Sequence, residues 1–325
     1  MHIGITGSTG FIGQNLVPEL LKRGHKVKVL VRDPHRKILW DDVEKVEGNF
    51  QTPDALQQFL MDLEAVVHCA GAIRALRMED YVKGNYTTTK ILVDAINQFK
   101  PKDLKKFIFL SSQSAQGPSV GLAPRRFDEP PSPVTWYGKS KLMAENYIVN
   151  YLEYPYIILR LALVYGPGDR ETFRFFQYVK KGIFPMPNGE KYLSVVYVKD
   201  VVRLITFILE MENHIRNRIY FVAHPQYHSL SEIVDGIKSL FGKKKVAKLS
   251  IPEAIFRPAL KVNEIIASIA CKATIANSDK ANELAEKYWI GDPAPLIAET
   301  GFKPEYSLME GLFETLEWYK KEGWL

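Results

Sequence analysis

Apolar residues fall along this chain in short runs separated by stretches where they return every third or fourth position. The runs at 2–6, 26–31, 65–68, 106–110 and 156–161 are strand-length and rich in Ile, Val, Leu and Phe, and 43–47 continues the same strand-and-helix alternation. Helical periodicity follows at 14–23, 53–61, 78–99 and from Trp136 onward, with Gly24 placed to close the first helix and Pro18 inside it. Strand alternating with helix, each strand apolar on both sides, predicts an α/β fold with a doubly wound parallel sheet covered on both faces.

Beyond Arg170 the rhythm loosens. The pattern predicts a helix over 171–181, a loop over 184–191 with a turn at Asn188-Gly189, a strand over 192–198, a helix over 201–212 and a last sheet strand over 217–223. Residues 229–325 read as mostly helical, broken at Pro252, Pro258, Pro293 and Pro304. The expected division is a dinucleotide-binding domain of 1–169 and 191–225, and a smaller substrate lobe of 170–190 and 226–325. The most apolar helical stretch, 265–276, is expected in core or dimer packing, with contact to a hydrophobic substrate as the lesser reading.

Chemistry gathers at the strand ends. Between the first strand and its helix lies Thr6-Gly7-Ser8-Thr9-Gly10-Phe11-Ile12-Gly13. Gly7 permits a tight turn, Gly10 lets backbone N–H groups approach a pyrophosphate, and Gly13 lets the helix pack on its strand. The helix N-terminus then attracts the anion. After the second strand come Val31-Arg32-Asp33-Pro34: Arg32 favours a 2′-phosphate and so NADP, while Asp33 leaves NAD open. Cys69-Ala70-Gly71 offers small residues against which a flat ligand can lie. Ser112 ends the 106–110 strand run at the carboxyl edge of the sheet, where a hydroxyl can orient a substrate oxygen. Tyr137 and Lys141, four apart on a helix, share a face, and an ammonium beside a phenol is expected to lower its pKa for proton transfer. The Gly- and Pro-rich segment 113–133 is suited to lie over the site, and His68 reads as a packed strand histidine rather than a base.

Composition narrows the reading. The 325 residues are 46% hydrophobic and 25% charged with net charge +6, ordinary for a soluble protein. The densest basic run, Gly242-Lys243-Lys244-Lys245, lacks aromatics and reads as a solvated helix end or loop, so no nucleic-acid partner is expected. Cys69 and Cys271, far apart, argue for a reducing, cytoplasmic setting, and no spacing suggests a metal site. No signal peptide or membrane-spanning stretch is expected.

Taken together, Thr6-Gly7 through Gly13, His68-Cys69-Ala70-Gly71, Asn85, Ser111-Ser112, Tyr137-Gly138-x-Ser140-Lys141 and Tyr165-Gly166-Pro167-Gly168 resemble the extended short-chain dehydrogenase/reductase family of nucleotide-sugar epimerases and dehydratases, dihydroflavonol reductases and 3β-hydroxysteroid dehydrogenases. The likeness is close over the first two thirds, and Glu299–Pro304 with Leu308–Leu312 matches the family's C-terminal pattern more loosely. The resemblance implies a Rossmann domain with a nicotinamide cofactor, a helical substrate lobe and a homodimer. Tyr137 would be the acid/base, Lys141 would hold the nicotinamide ribose, and Ser112 would orient a substrate carrying a hydroxyl or carbonyl. Gly7, Thr9, Gly10, Phe11, Ile12, Gly13, Arg32, Asn49, Phe50, Ala70, Gly71 and Asn85 would line the cofactor with Tyr137 and Lys141. Asn49 stands where the family commonly has Asp. Val31-Arg32-Asp33-Pro34 resembles the dihydroflavonol reductase version of the NADP contact. Leu163 stands where nucleotide-sugar members usually carry Asn, which points toward the reductase branch. The implied activity is an NAD(P)-dependent oxidoreductase, with a nucleotide-sugar epimerase or dehydratase and a non-catalytic dinucleotide sensor as alternatives.

Overall fold

The computed structural model describes residues 1–33, 40–75, 77–212, 215–269 and 278–325, the side chains of 265–269 excepted. Strands β1 (His2–Thr6), β2 (Lys26–Val31), β3 (Val43–Glu47), β4 (Ala65–His68), β5 (Lys106–Ser112) and β6 (Tyr156–Leu161) join the strand Arg218–Val222 in one seven-stranded sheet. All its pairs are parallel. The order is Arg218–Val222, β6, β5, β4, β1, β2, β3. After β3 the chain crosses back to the other side of β1, so β1 and β4 flank the point where direction reverses and ligands of such sheets bind.

Alternate strand residues feed two cores. Ile5, Val29, Val67, Ile108 and Leu159 pack with Leu16, Val17 and Leu20 of α1 (Phe11–Lys22). Val66, Phe107, Phe109 and Ile158 pack against α2 (Pro53–Leu60), the helical stretch around Leu92 and the Tyr137 helix. Each buried Val, Leu, Ile or Phe contributes about 1.5–3 kcal/mol, which lets these runs carry the sheet even with Lys28, His68 and Arg160 buried among them. A third core joins Tyr165, Phe176, Phe184, Leu230, Ile237 and Leu312.

Several elements differ from expectation. α1 starts at Phe11, three residues early, because Gly10 already supplies the cap; Gly24 closes the helix at φ +78°. The 78–99 helix is not uniform: α3 (Met78–Tyr81) passes through a π-helical segment (Val82–Thr87) into α4 (Thr88–Phe99). Segment 113–133 opens with a short helix, α5 (Gln113–Gln116), before α6 (Trp136–Tyr151). The expected loop at 184–191 holds a strand, Ile183–Pro187, paired in parallel with Ala247–Ile251. The expected strand 192–198 divides into Tyr192–Leu193 and Val195–Tyr197, which join different small sheets. The apolar stretch 265–276 lies outside the residues whose side chains are described.

Candidate active site

The glycine turn is set by contact. Gly7 sits at φ +74°, and a Cβ there would lie 2.6 Å from the Ala70 backbone nitrogen. A Cβ on Gly13 would lie 2.4 Å from the Gly7 carbonyl oxygen and 2.6 Å from Ser8 Cα. The turn therefore presses on the end of β4, and α1 presses on the turn. Gly10 caps α1 without any side-chain acceptor, so backbone N–H groups of the first turn face outward. Thr9, Phe11 and Ile12 are half-buried around it, and the buried Ser8 hydroxyl has no hydrogen-bond partner among the described residues. Asn15 Nδ2 donates to the Phe11 and Pro167 carbonyls (2.9 and 3.3 Å), tying this helix start to the Tyr165-Gly166-Pro167 turn. Free N–H groups, an orphaned hydroxyl and backbone left bare of Cβ atoms fit a pyrophosphate.

Arg32 is exposed just past β2. Asn49 Oδ1 accepts from the Gln51 backbone N–H (2.7 Å), and Phe50 meets the His68 ring edge-on at 5.8 Å. His68 is wholly buried, as a packed strand histidine should be. Thr89 Oγ1 donates to the Asn85 carbonyl (2.7 Å), so it accepts from His68 Nε2 (3.0 Å). The Thr6 hydroxyl then donates to His68 Nδ1 (2.6 Å). Burial first, with the Lys141 charge adding to it, pushes His68 down to about 3 and keeps it neutral.

The loop after β4 reaches Lys141 through Gly71, whose Cβ would lie 2.8 Å from Asn85 Oδ1 and 3.7 Å from Lys141 Nζ. Asn85, on the π-helical segment, accepts from the Ala72 N–H (2.8 Å) and donates to the Ala72 carbonyl (3.0 Å) and Ser140 Oγ (2.9 Å). Its carboxamide clamps the Ala70-Gly71 loop to α6.

Ser112 caps α5, its Oγ accepting from the Ser114 N–H (3.1 Å). Thr135 caps α6 by accepting from the Gly138 N–H (3.0 Å), and a Cβ on Gly138 would meet the Ser114 carbonyl at 2.2 Å. The two helix starts are thus in backbone contact, which brings the Ser112 hydroxyl beside the Tyr137 phenol, where it favours the ionised form. Beneath them Arg160 Nη2 donates to Glu145 Oε2 (2.7 Å), Arg160 Nε donates to both Glu145 oxygens (3.1 Å each), and Ser111 and Gln116 complete the buried cluster. That cluster holds α5, α6, β5 and β6 in register.

The sequence reading expects Lys141 to lower the Tyr137 phenol, and the structure differs. Lys141 Nζ donates to the Leu110 carbonyl (2.6 Å) and lies 4.3 Å above the centre of the Phe109 ring. Burial dominates at Tyr137 and pushes the phenol up to about 12; the Ser112 hydroxyl pulls it down, while Glu283 and Tyr81 add to the rise. Burial likewise lowers Lys141 to about 8, against the attraction of Glu145. A phenol held protonated at neutral pH is a proton donor.

Two contributors were missed. Thr135 stands just before the helix as a capping residue and could have been found from sequence. Asp279, on the helix Ser278–Ala285, accepts from the backbone N–H groups of Trp136 (2.8 Å) and Tyr137 (3.4 Å), a long-range contact with no local signal. Among the described residues no cluster of His, Cys, Asp and Glu could hold a metal ion, and no helix is long and apolar enough to cross a membrane.

Comparison with known proteins places this geometry. The model of the NAD dependent epimerase/dehydratase family matches residues 3–223. A ceramide reductase of Caulobacter vibrioides is 28% identical, covering 99% of this chain and 96% of its own length. A UDP-glucose 4-epimerase of Vibrio cholerae is 32% identical, covering 71% of this chain and 73% of its own. The solved structure of MoeE5 in complex with UDP-glucuronic acid and NAD superposes with a TM-score of 0.77 at 21% identity, over 99% of this chain and 100% of that one, which places the fold. The chain belongs to the NAD-dependent epimerase/dehydratase family, and is a nicotinamide-dependent oxidoreductase or epimerase of the extended short-chain dehydrogenase type.

Proposed function

We propose that this protein is a nicotinamide-dependent ketone reductase, working reversibly as a carbinol dehydrogenase, on a largely aliphatic substrate. One observation carries the reading: the fold brings the Ser112 hydroxyl and the Tyr137 phenol side by side at the carboxyl edge of β5, with Lys141 one helical turn further on. Ser112 holds the substrate oxygen, and Tyr137, protonated at neutral pH, donates its proton to that oxygen as the carbonyl is reduced. Lys141 binds the nicotinamide ribose and adds positive charge beside the oxygen that gains negative charge. The bound cofactor supplies the hydride. Gly7, Thr9, Gly10, Phe11, Ile12 and Gly13 bind the pyrophosphate side, with Arg32, Asn49 and Phe50 toward the adenosine and Ala70, Gly71 and Asn85 shaping the middle of the cleft.

The substrate class rests on Leu163. It lines a small, mainly apolar crevice with Tyr165, Thr172, Phe175, Val195 and Leu308, where the two hydroxyls are already spent on the Leu308 carbonyl and on Asp169, which disfavours a diphosphate. The full-length similarity to a ceramide reductase supports the same reading. The similarity to a UDP-glucose 4-epimerase favours the runner-up, an epimerase that takes and returns its hydride. We further propose NADP preference through Arg32, division into 1–169 with 191–225 and 170–190 with 226–325, a cytoplasmic location, and a homodimer. The dimer would pair α4 and α6, where Met143 and Tyr151 are exposed beside Tyr147.

The test incubates the protein with NADPH or NADH and a series of long-chain aliphatic ketones, with UDP-glucose as the counter-substrate. Net oxidation of cofactor with the ketones is expected; conversion of UDP-glucose without net oxidation overturns the reading in favour of the epimerase. Fluorescence titration should give tighter binding of NADPH than NADH, and Arg32→Ala should weaken NADPH selectively. Equal losses for both would make Arg32 a general contact.

A further inference from the structure

The unexpected strand pair Ile183–Pro187 and Ala247–Ile251 presents an apolar face that the active site does not use. In register, Ile183 pairs with Ala247, Pro185 with Leu249 and Pro187 with Ile251. Side chains alternate across a strand, and partners in register share a face. Phe184 and Met186 point into the core, and beside them Lys248 Nζ donates to Asp235 Oδ2 (2.7 Å), so that side is inward. The other side consists of Ile183, Pro185, Pro187, Ala247, Leu249 and Ile251, without one polar residue. Ile183 remains 49% and Leu249 50% exposed, where an outward sheet face ordinarily alternates to polar residues.

Cations rim one end of this face. Lys180 and Lys181 lie in the last turn of the helix Phe173–Lys181, separated from Ile183 by Gly182. Lys243, Lys244 and Lys245 come just before Val246 and Ala247, and the Ala247 N–H donates to the Gly182 carbonyl (2.9 Å), which brings the two groups to the same end of the pair. Among the described residues none of these five lysines has an ion-pair partner, and the nearby Asp235 is engaged by Lys238 and Lys248. A nucleic acid would match the charge but not a bare aliphatic face lacking aromatic stacking platforms. An apolar face bordered by lysines matches an anionic bilayer, where aliphatic side chains enter the headgroup boundary and ammonium groups meet lipid phosphate.

We infer that this face is a docking surface for an anionic lipid membrane. The inference stands apart from the reading of the active site, since it concerns surface chemistry and is measured without turnover.

The experiment is co-sedimentation of the full chain with vesicles of phosphatidylcholine alone, or of phosphatidylcholine with about one-third phosphatidylserine. Binding is expected only to the anionic vesicles, and added salt should weaken it. Replacing Lys243, Lys244 and Lys245 by Gln should weaken it about a hundredfold, at about 1 kcal/mol per lysine near the surface. Leu249→Asp should also release the protein. NADPH titration and thermal melting of each variant, both expected to match wild type, establish that it is folded. Absence of binding to anionic vesicles, or binding unchanged in both folded variants, overturns the inference. So does a wild-type dimer that Leu249→Asp converts to monomer, which would assign the face to a second copy.

Discussion

Glu145→Gln is the sharpest structural perturbation beneath the site. Arg160 is 4% and Glu145 1% exposed at the side chain, and the guanidinium donates three hydrogen bonds to that carboxylate. The amide keeps the volume but removes the charge and turns an N–H₂ toward donors, leaving a buried guanidinium uncompensated. Breaking such a pair costs about 3–5 kcal/mol. That is a large part of a total stability of about 5–15 kcal/mol. At roughly 2–4 °C per kcal/mol for a chain of this order of size, melting should fall by about 6–20 °C. Thermal scans and urea unfolding measure it. The double variant Glu145→Leu, Arg160→Met removes both charges and should recover most of the loss, because neither charge is left unpaired. A loss under about 1 kcal/mol in the single variant, with the double variant simply additive, would refute the picture of a dry, mutually dependent pair.

Two further outcomes follow from the same geometry. His68 titrates near 6.5 in the unfolded chain and is held to about 3 when folded, so between these values the unfolded chain binds more protons. Its contribution to stability is complete above pH 6.5 and is lost as pH falls toward 3; from pH 6.5 to 5 the loss is roughly 2 kcal/mol. Urea unfolding at both pH values should show this loss in wild type and not in His68→Gln; parallel profiles would contradict the burial argument. Asp279→Ala leaves the Trp136 and Tyr137 N–H groups without their acceptor. A lost cap costs about 1 kcal/mol, so melting should change little while kcat falls and cofactor affinity holds, with partial rescue by Asp279→Asn. Equal damage to cofactor binding would make the residue merely structural.

Much of the sheet domain was legible because its strands are buried on both faces and its glycines are forced by contact. The runs 26–31, 65–68 and 156–161 needed no tertiary information to be recognised. The start of α1 was misplaced because Gly10 serves at once as turn and cap. Pro185 and Pro187, each lacking an N–H, read as loop residues, yet this two-stranded pair tolerates them because a strand with one neighbour leaves the other edge unpaired. The π-helical turn around Asn85 has no compositional signature. The protonation of Tyr137 was misjudged for a different reason. Spacing puts Lys141 on the right face, but only the fold reveals that Lys141 is drawn to the Leu110 carbonyl and that burial outweighs its charge. Asp279 lies 142 residues from Tyr137 and no local pattern announces it.

The central claim is that the Tyr137 phenol is the proton donor. Single-turnover reduction by Tyr137→Phe, measured beside NADPH titration of the same variant, tests it most directly. The account predicts cofactor affinity close to wild type and a rate lower by about a hundredfold or more, the usual reach of general acid catalysis. A variant that binds NADPH normally and turns over at nearly the wild-type rate would contradict it.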